Sequence, residues 1–280
     1  MVKRSENKTQ MAKRLGIGRS TLYYKHKRPA IDEEVKNQIE TVLTEHPAYG
    51  HKRIAMVLKL NKKRILRVMK KYKITPYRKP RKPLTKKKDL GKPTTKYKNL
   101  IEDLTVTKPD QVWCCDFTYI KHQSRFIYLA TMVDLFTREV VGFNISRYHN
   151  RFLVIGALLG ALGSGDYQKP DIVHSDQGSE YDSKDFADLV EKMDIKLSMS
   201  RKASPWENGH QESFFGHLKA ENGDLERFES LGELVEYICQ SLYYYNNKRI
   251  HTRLKMTPKQ FREKYIFELE EGALVHKSSQ

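Results

Sequence analysis

Residues 111–120, QVWCCDFTYI, form an apolar run interrupted by a single acid. Aromatic and β-branched side chains predict a β-strand here, and one acid, Asp116, stands inside it. Adjacent residues of a strand point to opposite faces, so we interpret Cys114 and Cys115 as small apolar packing residues. The stretch therefore predicts a largely apolar strand that carries a single carboxylate.

Further strand and helix patterns follow this stretch along the chain. Two more strands with turn residues between them indicate a β-meander, and the chain then alternates between helix and strand. The predicted elements are strands over 111–120, 125–134, 139–146, 171–175 and 195–200, and helices over 150–162, from Asp182 or Ser183 to Met193, and around Glu212. The order βββαβαβα predicts a mixed-sheet α/β domain.

Two other acids also belong to segments with a regular strand or helix pattern. Asp176 ends the strand-like segment DIVHSD (171–176), and Glu212 begins the helix-like segment ESFFGHLK (212–219), with 35 residues between the two acids. Carboxylates at two strand ends and on one helix can converge on divalent metal ions, because hard oxygen ligands suit Mg²⁺ or Mn²⁺. On a basic chain, the predicted substrate of such a site is a phosphodiester.

Composition supports a polyanionic partner. The chain has 280 residues and a formal net charge of +18, with a pI of about 9.6, which favours nucleic acid. Its three cysteines form no CxxC pair, and the N-terminus has no apolar signal segment, so we predict a reducing, cytoplasmic location. The longest apolar run, 153–163, is too short to span a bilayer, and no membrane association is expected.

The N-terminal residues carry a first DNA-binding pattern. Segments 9–15 and 19–24 have helix-like sequences and flank the glycine-containing turn 16–18, which is the outline of a helix-turn-helix. Arg19, Ser20 and Thr21 would lie at the front of the second helix, where base or phosphate contacts are made. Plain helical packing is the alternative.

A second helical pattern and a basic linker follow. One apolar stripe is predicted at Ile54, Val57 and Leu58 and another at Ile65, Val68, Met69 and Tyr72. Lys63 and Arg67 lie away from the second stripe and are predicted to face DNA, with a solvated basic face as the alternative. Residues 73–98 contain 11 lysines and arginines, among them Arg78 and Arg81, against one acid. This linker is predicted to be mobile in the free chain and to become ordered along a phosphate backbone when DNA binds.

The strand order and the three acids resemble the ribonuclease H-like core of DDE transposases and retroviral-type integrases. The resemblance is closer to the second-frame (OrfB) product of the IS3 family of bacterial insertion sequences, and it runs from about residue 15 to about residue 265. The interval of 35 residues and Lys219, seven positions after Glu212, fit the DD(35)E pattern of that family. The motifs that carry the resemblance are HPAYG (46–50), WCCDFTY (113–119), HSDQGS (174–179), SPWEN (204–208), ESFF (212–215) and YYNNKRIH (244–251).

The resemblance implies a catalytic and metal-binding role for Asp116, Asp176 and Glu212. Two Mg²⁺ or Mn²⁺ ions per site, with Asp116 bridging them, would let water nick a strand or a DNA 3′-hydroxyl join it, without a covalent enzyme intermediate. Lys219 would contact a phosphate near the scissile bond, and Asn208 and His210 would touch DNA or order a loop. The implied partners are double-stranded transposon ends and target DNA, bound by a dimer or higher oligomer associated with the nucleoid.

The predicted fold is therefore α/β, a ribonuclease H-like mixed five-stranded sheet with flanking helices, preceded by all-α helix-turn-helix DNA-binding modules. Domain boundaries are predicted as 1–30 and 31–72 for the two helix-turn-helix modules, 73–98 for the linker, 99–228 for the catalytic core and 229–280 for the C-terminal helices and tail. In the last part, Ser230 and Glu233 predict a capping box, and Thr257 followed by Pro258 predicts another helix start.

Several alternatives stay open at this point. Asp134 is interpreted as a turn residue, and Glu180 and Glu207 as acids that bind no metal. A non-catalytic DNA-binding regulator of the element, and a ribonuclease H or junction resolvase, are the rival functions. The complete enzyme of the family is usually a frameshift fusion with an upstream leucine zipper, and no such heptad run precedes residue 31. The chain is therefore interpreted as the second-frame product alone, a shortened chain or a complete variant.

Overall fold

A computed structural model describes residues 7–23, 28–77, 97–200 and 209–277. The chain divides into two compact units, Met1–Pro76 and Tyr77–Gln280. Three residues predicted to contact DNA, Arg78, Arg81 and Asn208, lie outside the described residues, as do Glu207 and most of the predicted linker.

The first unit is helical, as predicted. It contains α1 (Lys8–Arg14), a 3₁₀ helix (Arg19–Tyr23), α2 (Arg28–Glu45), α3 (His51–Val57) and α4 (Lys62–Lys71). Asn7 caps α1 by accepting a hydrogen bond from the Thr9 amide. The second helix predicted over 19–24 is a short 3₁₀ helix, Arg19–Tyr23. Ser20 and Thr21 have low helix propensity, which disfavours a longer α-helix here.

Of the two predicted apolar stripes, the one on α4 is buried and the one on α3 is buried only in part. Ile65, Val68 and Met69 of α4 are buried, as predicted, and Tyr72 is half-buried at the end of that helix. In α3 only Ile54 of the predicted stripe is buried, whereas Val57 is exposed and Leu58 is half-buried. The stripe predicted for α3 is therefore wrong in part. The helix is only seven residues long, and its buried side also includes Arg53 and Ala55.

The second unit is built on a five-stranded sheet. Its strands are β1 (Val112–His122), β2 (Arg125–Asp134), β3 (Val140–Ser146), β4 (Ile172–Ser175) and β5 (Lys196–Met199), in the spatial order β3-β2-β1-β4-β5. Strands β1, β2 and β3 are antiparallel neighbours, while β4 runs parallel to β1 and β5 parallel to β4. The predicted mixed sheet and its meander are confirmed, with β1 at the centre.

Helices cover both faces of the sheet. They are α5 (Arg151–Gly163), α6 (Lys184–Lys192), α7 (Gly209–Glu221), α8 (Leu231–Asn247) and α9 (Pro258–Lys277). One core cluster joins side chains of α5 and α6 to Trp113 and Cys115 of β1. A second cluster joins side chains of α7 and α8 to Ile120 and other strand residues of the opposite face. Cys114 belongs to a third cluster, which confirms that the adjacent cysteines pack on different sides.

The helix starts follow the predicted capping signals. Ser183, rather than Asp182, caps α6 by accepting a hydrogen bond from the Phe186 amide. Ser230 and Glu233 form the predicted reciprocal capping box of α8. In the part of the chain that the structure describes, no helix is long and apolar enough to cross a membrane.

A buried ionic network fixes α9 to one end of the sheet. Arg262 donates to Glu139 through Nε at 2.7 Å and to both carboxylate oxygens of Asp110, at 2.7 and 3.0 Å. Asp110 also accepts a hydrogen bond from the indole of Trp113, and its amide donates to Asp134 at 2.7 Å. Asp134 further accepts from the Thr137 amide, so it stabilises the turn between β2 and β3, as the sequence indicated.

Candidate active site

The sheet register brings Asp116 beside Asp176. In the parallel pairing of β1 with β4, Val112 is opposite Ile172 and Cys114 is opposite His174. Continuing this register by two residues places Asp116 opposite Asp176, which follows the last residue of β4. Neighbouring strands lie about 4.8 Å apart, so two carboxylates from distant parts of the sequence become neighbours at the end of β4.

Asp176 is held in a tight turn. The Gly178 amide donates a hydrogen bond to Asp176 Oδ1 at 3.1 Å. A Cβ atom at Gly178 would lie 3.1 Å from the same oxygen and 3.3 Å from Glu180 Oε2, so the turn leaves little room for a side chain at this position. Burial raises the pKa of Asp176, the Gly178 amide opposes this shift, and the charge of Glu180 adds to it.

Glu212 lies in the first turn of α7, where its side chain is exposed. The residue before it, Gln211, is fully buried and anchors this turn to the sheet. Its Nε2 donates to the carbonyl of Cys114 on β1 and, at 3.4 Å, to the carbonyl of Thr131 on β2. Thr131 is the cross-strand partner of Asp116, so the beginning of α7 is tied to the strand positions that surround that acid.

Asp116 is influenced electrostatically by the other two acids. The pKa of Asp116 is raised to about 7, chiefly by burial and next by the negative charge of Asp176, with a smaller contribution from Glu212. The amide of Phe117 and the ammonium of Lys219 oppose the shift. A cation bound beside Asp116 would relieve this repulsion.

The metal-binding arrangement itself is not formed in the described part of the chain. Among residues 7–23, 28–77, 97–200 and 209–277, no group of three or more histidines, cysteines or acids is close enough to hold a metal ion. The donor set nevertheless fits a hard cation, because it consists of carboxylate oxygens and its electrostatic repulsion is relieved by positive charge.

Lys219, in the last turn of α7, contacts β1. Its Nζ is 4.7 Å from the ring centroid of Tyr119 on β1. Partial desolvation lowers the pKa of Lys219, and the charge of Asp116 opposes that shift. Lys219 and Asp116 therefore influence each other electrostatically, but no ion pair joins them in the described residues. Its predicted contact with phosphate stays a prediction.

His210 is in the first turn of α7, two residues before Glu212. Partial burial lowers the pKa of its imidazole to about 4, and the nearby charges of Arg138 and Arg253 act in the same direction. A neutral ring beside two guanidinium groups is compatible with its predicted DNA contact.

The structure adds a histidine that the sequence analysis did not identify. His149 Nε2 is 3.1 Å from Glu180 Oε1, and its ring stacks on Tyr128 with centroids 5.1 Å apart. The same ring contacts Phe117, the neighbour of Asp116, at 4.5 Å. Ser179 also donates to Glu180. Because these contacts join the loop after β3 to the loop after β4, local sequence patterns gave no signal for them.

The candidate DNA contacts of the first unit differ in their surroundings. Arg19, Ser20, Thr21 and Lys63 are exposed. Arg67 donates to both oxygens of Asp32, which also accepts from Lys71 at 3.0 Å. These hydrogen bonds, that of Arg67 first, hold the pKa of the buried Asp32 well below its usual range. Arg67 therefore has a structural partner that the sequence analysis did not anticipate.

Family models match most of the chain. Residues 106–205 and 212–266 match two integrase core domain models, and residues 3–28 match the helix-turn-helix of bacterial regulatory proteins of the Fis family. Solved structures that are similar to the chain include the following two. The HTLV-2 integrase catalytic core domain in complex with magnesium has a TM-score of 0.45 at 21% identity, covering 55% of this chain and 97% of that chain. A simian T-cell lymphotropic virus intasome has a TM-score of 0.48 at 16% identity, covering 80% and 74%.

Sequence relatives identify the family. The transposase for insertion sequence element IS904 of Lactococcus lactis is 34% identical over 262 residues, which cover 86% of this chain and 99% of that protein. The putative transposase InsK for IS150 of Escherichia coli is 30% identical, covering 88% and 90%. Transposase InsF for IS3A of Escherichia coli is 33% identical, covering 60% and 59%. The chain thus belongs to the IS3-type insertion-sequence transposases with an integrase core domain.

Proposed function

We propose that this transposase cleaves and joins DNA strands at the ends of its insertion sequence, with Asp116, Asp176 and Glu212 as its metal-binding catalytic acids. The observation that carries the proposal is the sheet register, which brings Asp116 beside Asp176 at the end of β4. The charges of Asp176 and Glu212 contribute to the raised pKa of Asp116, which supports a site that takes divalent cations.

The chain's own residues define what such a site does. Asp116 would supply an oxygen ligand from within β1, Asp176 one from the end of β4, and Glu212 a third from a helix anchored by Gln211. Two Mg²⁺ or Mn²⁺ ions, when bound, supply activation of the attacking oxygen and stabilisation of the leaving one. Lys219 holds a phosphate of the bound strand close to the acids.

The first unit carries recognition of the terminal inverted repeats in this proposal. Its match to a regulatory helix-turn-helix and its exposed Arg19, Ser20, Thr21 and Lys63 support contacts to a DNA duplex. Pairing of two ends requires at least two copies of the chain, so a dimer or higher oligomer on DNA is part of the proposal.

A strand-cleavage assay tests the function. Labelled duplexes that carry the element's own ends are incubated with Mg²⁺ or Mn²⁺ and with wild type or Glu212→Gln. We expect metal-dependent nicking and joining at the element boundary by wild type and a loss of both in the variant, because the amide is a much weaker metal ligand than the carboxylate.

Glu191→Gln is the matched control, since Glu191 is an exposed helical acid of α6 on the opposite face of the sheet. It should leave nicking unchanged. Tight end binding without cleavage by wild type would instead support a non-catalytic regulator, and equal activity of Glu212→Gln would remove Glu212 from the catalytic set.

A further inference from the structure

The hairpin of β1 and β2 extends beyond the site of the acids. Strand β1 pairs with β4 through residues 112–114, whereas it pairs with β2 as far as His122. Tyr119 lies three residues beyond Asp116, which corresponds to roughly 10 Å along a strand. The hairpin therefore continues past the acids, and the side chain of Tyr119 leaves β1 on the opposite face from that of Asp116.

Two large aromatic side chains are exposed on this outer part of the hairpin. Tyr119 is 59% exposed and Phe126 is 48% exposed. Their rings touch edge to face with centroids 5.3 Å apart. An exposed aromatic pair of this kind is a common sign of a binding surface, because burial of these rings is favourable.

A cation lies on the same aromatic surface. Lys219 Nζ is 4.7 Å from the ring centroid of Tyr119, and the Lys219 charge also acts on Asp116. The lysine thereby connects the exposed ring to the acids. A ligand that suits both groups has a flat π face for the tyrosine and an anionic group for the ammonium.

A nucleotide has both of these features. Aromatic side chains bind unstacked bases by stacking, without preference for a particular base, while lysines bind the phosphate. The net charge of +18 favours the same class of ligand. A base inside an intact duplex has its faces covered by its neighbours, so only a base that leaves the stack can occupy Tyr119.

We propose that Tyr119 and Lys219 form a subsite for one nucleotide flanking the scissile phosphate, with its unstacked base on Tyr119 and its phosphate at Lys219. This subsite rests on the proposed function for the identity of its DNA. It holds the strand open beside the acids and contributes little to sequence recognition.

The test combines a change in the protein with a change in the DNA. End duplexes carry a single abasic nucleotide at each of the three positions on either side of the scissile phosphate, and their affinity is measured without divalent metal. Wild type is compared with Tyr119→Ala and Tyr119→Phe. The readout needs no cleavage, so it is independent of whether the proposed chemistry occurs.

If the subsite exists, the loss of DNA affinity caused by Tyr119→Ala and the loss caused by one abasic nucleotide do not add. Tyr119→Ala weakens binding of intact ends by roughly tenfold, and Tyr119→Phe stays close to wild type because its ring still stacks. At one abasic position wild type loses the same factor, and Tyr119→Ala loses nothing further. Tyr243→Ala, which removes an equally exposed tyrosine from α8, behaves as wild type at every position.

The proposal is wrong if the change in the protein and the change in the DNA affect the affinity independently. If the losses from Tyr119→Ala and from the abasic nucleotide multiply at every position, or if Tyr119→Ala binds intact ends as wild type does, no base stacks on Tyr119. If the non-additivity is present but wild type never nicks the same ends with Mg²⁺ or Mn²⁺, the subsite stands and the proposed catalytic function fails.

Discussion

The side-chain amide of Gln211 donates a hydrogen bond to the backbone carbonyl of Cys114. This bond joins the residue before Glu212 to the strand position two residues before Asp116. Gln211 also donates to the Thr131 carbonyl and accepts from Thr131 Oγ1, both at 3.4 Å, so one buried side chain connects α7 to two strands. The alignment of two candidate catalytic acids thus depends on an amide that contacts neither of them.

Replacing Gln211 tests this dependence. Gln211→Met keeps the volume and removes the hydrogen bonds, which leaves buried polar partners unsatisfied at a cost of about 1–3 kcal/mol. We expect a lower free energy of unfolding and a higher Mg²⁺ concentration for half-maximal nicking, because Glu212 is less well placed. Denaturant unfolding and a metal titration of the nicking rate measure these two effects.

The same substitution on the surface is the control for this prediction. Gln240→Met removes an exposed glutamine of α8, whose side chain donates a hydrogen bond to Glu236. It should change neither quantity. An unchanged metal requirement in Gln211→Met would show that α7 is positioned by its apolar packing alone.

The raised pKa of Asp116 predicts a pH-dependent stability in the absence of metal. A carboxyl group whose pKa is about 7 in the folded chain and near 4 in the unfolded chain favours folding only while it is protonated. This contribution is complete below pH 4 and is lost between pH 4 and pH 7, by about 1.4 kcal/mol for each pH unit at most.

Thermal unfolding in a chelator checks this dependence. The difference in Tm between Asp116→Asn and wild type should increase in favour of the variant as the pH rises from 4 to 7, because the amide does not ionise. At pH 8, saturating Mg²⁺ should raise the Tm of wild type above that of Asp116→Asn, because it binds the ionised acids of wild type. Parallel pH profiles of the two proteins would contradict the assignment of the shift to Asp116.

Arg262 should be critical for the stability of the second unit. Arg262→Met leaves Asp110 and Glu139 buried without their shared counter-charge, and breaking a buried ion pair in this way costs about 3–5 kcal/mol. Arg125→Met, at an exposed position at the beginning of β2, should change the unfolding free energy by less than about 0.5 kcal/mol. Denaturant unfolding decides the matter, and similar values for the two variants would refute the importance of the network.

Substitutions of Lys63 and of Arg67 should have different effects, the first on DNA binding and the second on the stability of the first unit. Lys63 is exposed, so Lys63→Ala should weaken binding to all duplexes and reduce the salt dependence of log K by about one unit, with Tm unchanged. Arg67→Ala should lower the Tm of this unit, because it removes the main partner of Asp32. Affinity measured over a salt series, together with thermal unfolding, separates the two roles. A lowered Tm in Lys63→Ala would contradict the assignment.

The strands and the helix starts could be predicted from the sequence because their signals are local. β-Branched and aromatic runs placed all five strands to within two residues at each end, and the Ser230–Glu233 capping box marked the beginning of α8. The position of Asp176 at a strand end followed from the same patterns. These features depend on residues that are neighbours in the chain, which is the information that periodicity and capping contain.

The supporting contacts of the site could not be predicted because they join distant segments. Gln211 stands in a helix whose pattern gives no sign that it enters the sheet, and the His149–Glu180 contact connects two separate loops. Arg67 follows a helical pattern that suggests a solvated basic face, but its partner Asp32 lies 35 residues away. Only the tertiary arrangement brings such pairs together.

Counting bound Mn²⁺ by electron paramagnetic resonance shows whether Asp116, Asp176 and Glu212 together hold divalent ions. Wild type, Asp116→Asn and the control Glu191→Gln are titrated with Mn²⁺ on end DNA at pH 8. If these acids hold the ions, wild type and the control bind about two Mn²⁺ ions tightly, and Asp116→Asn loses both. Equal Mn²⁺ binding by wild type and Asp116→Asn would contradict this metal-binding role.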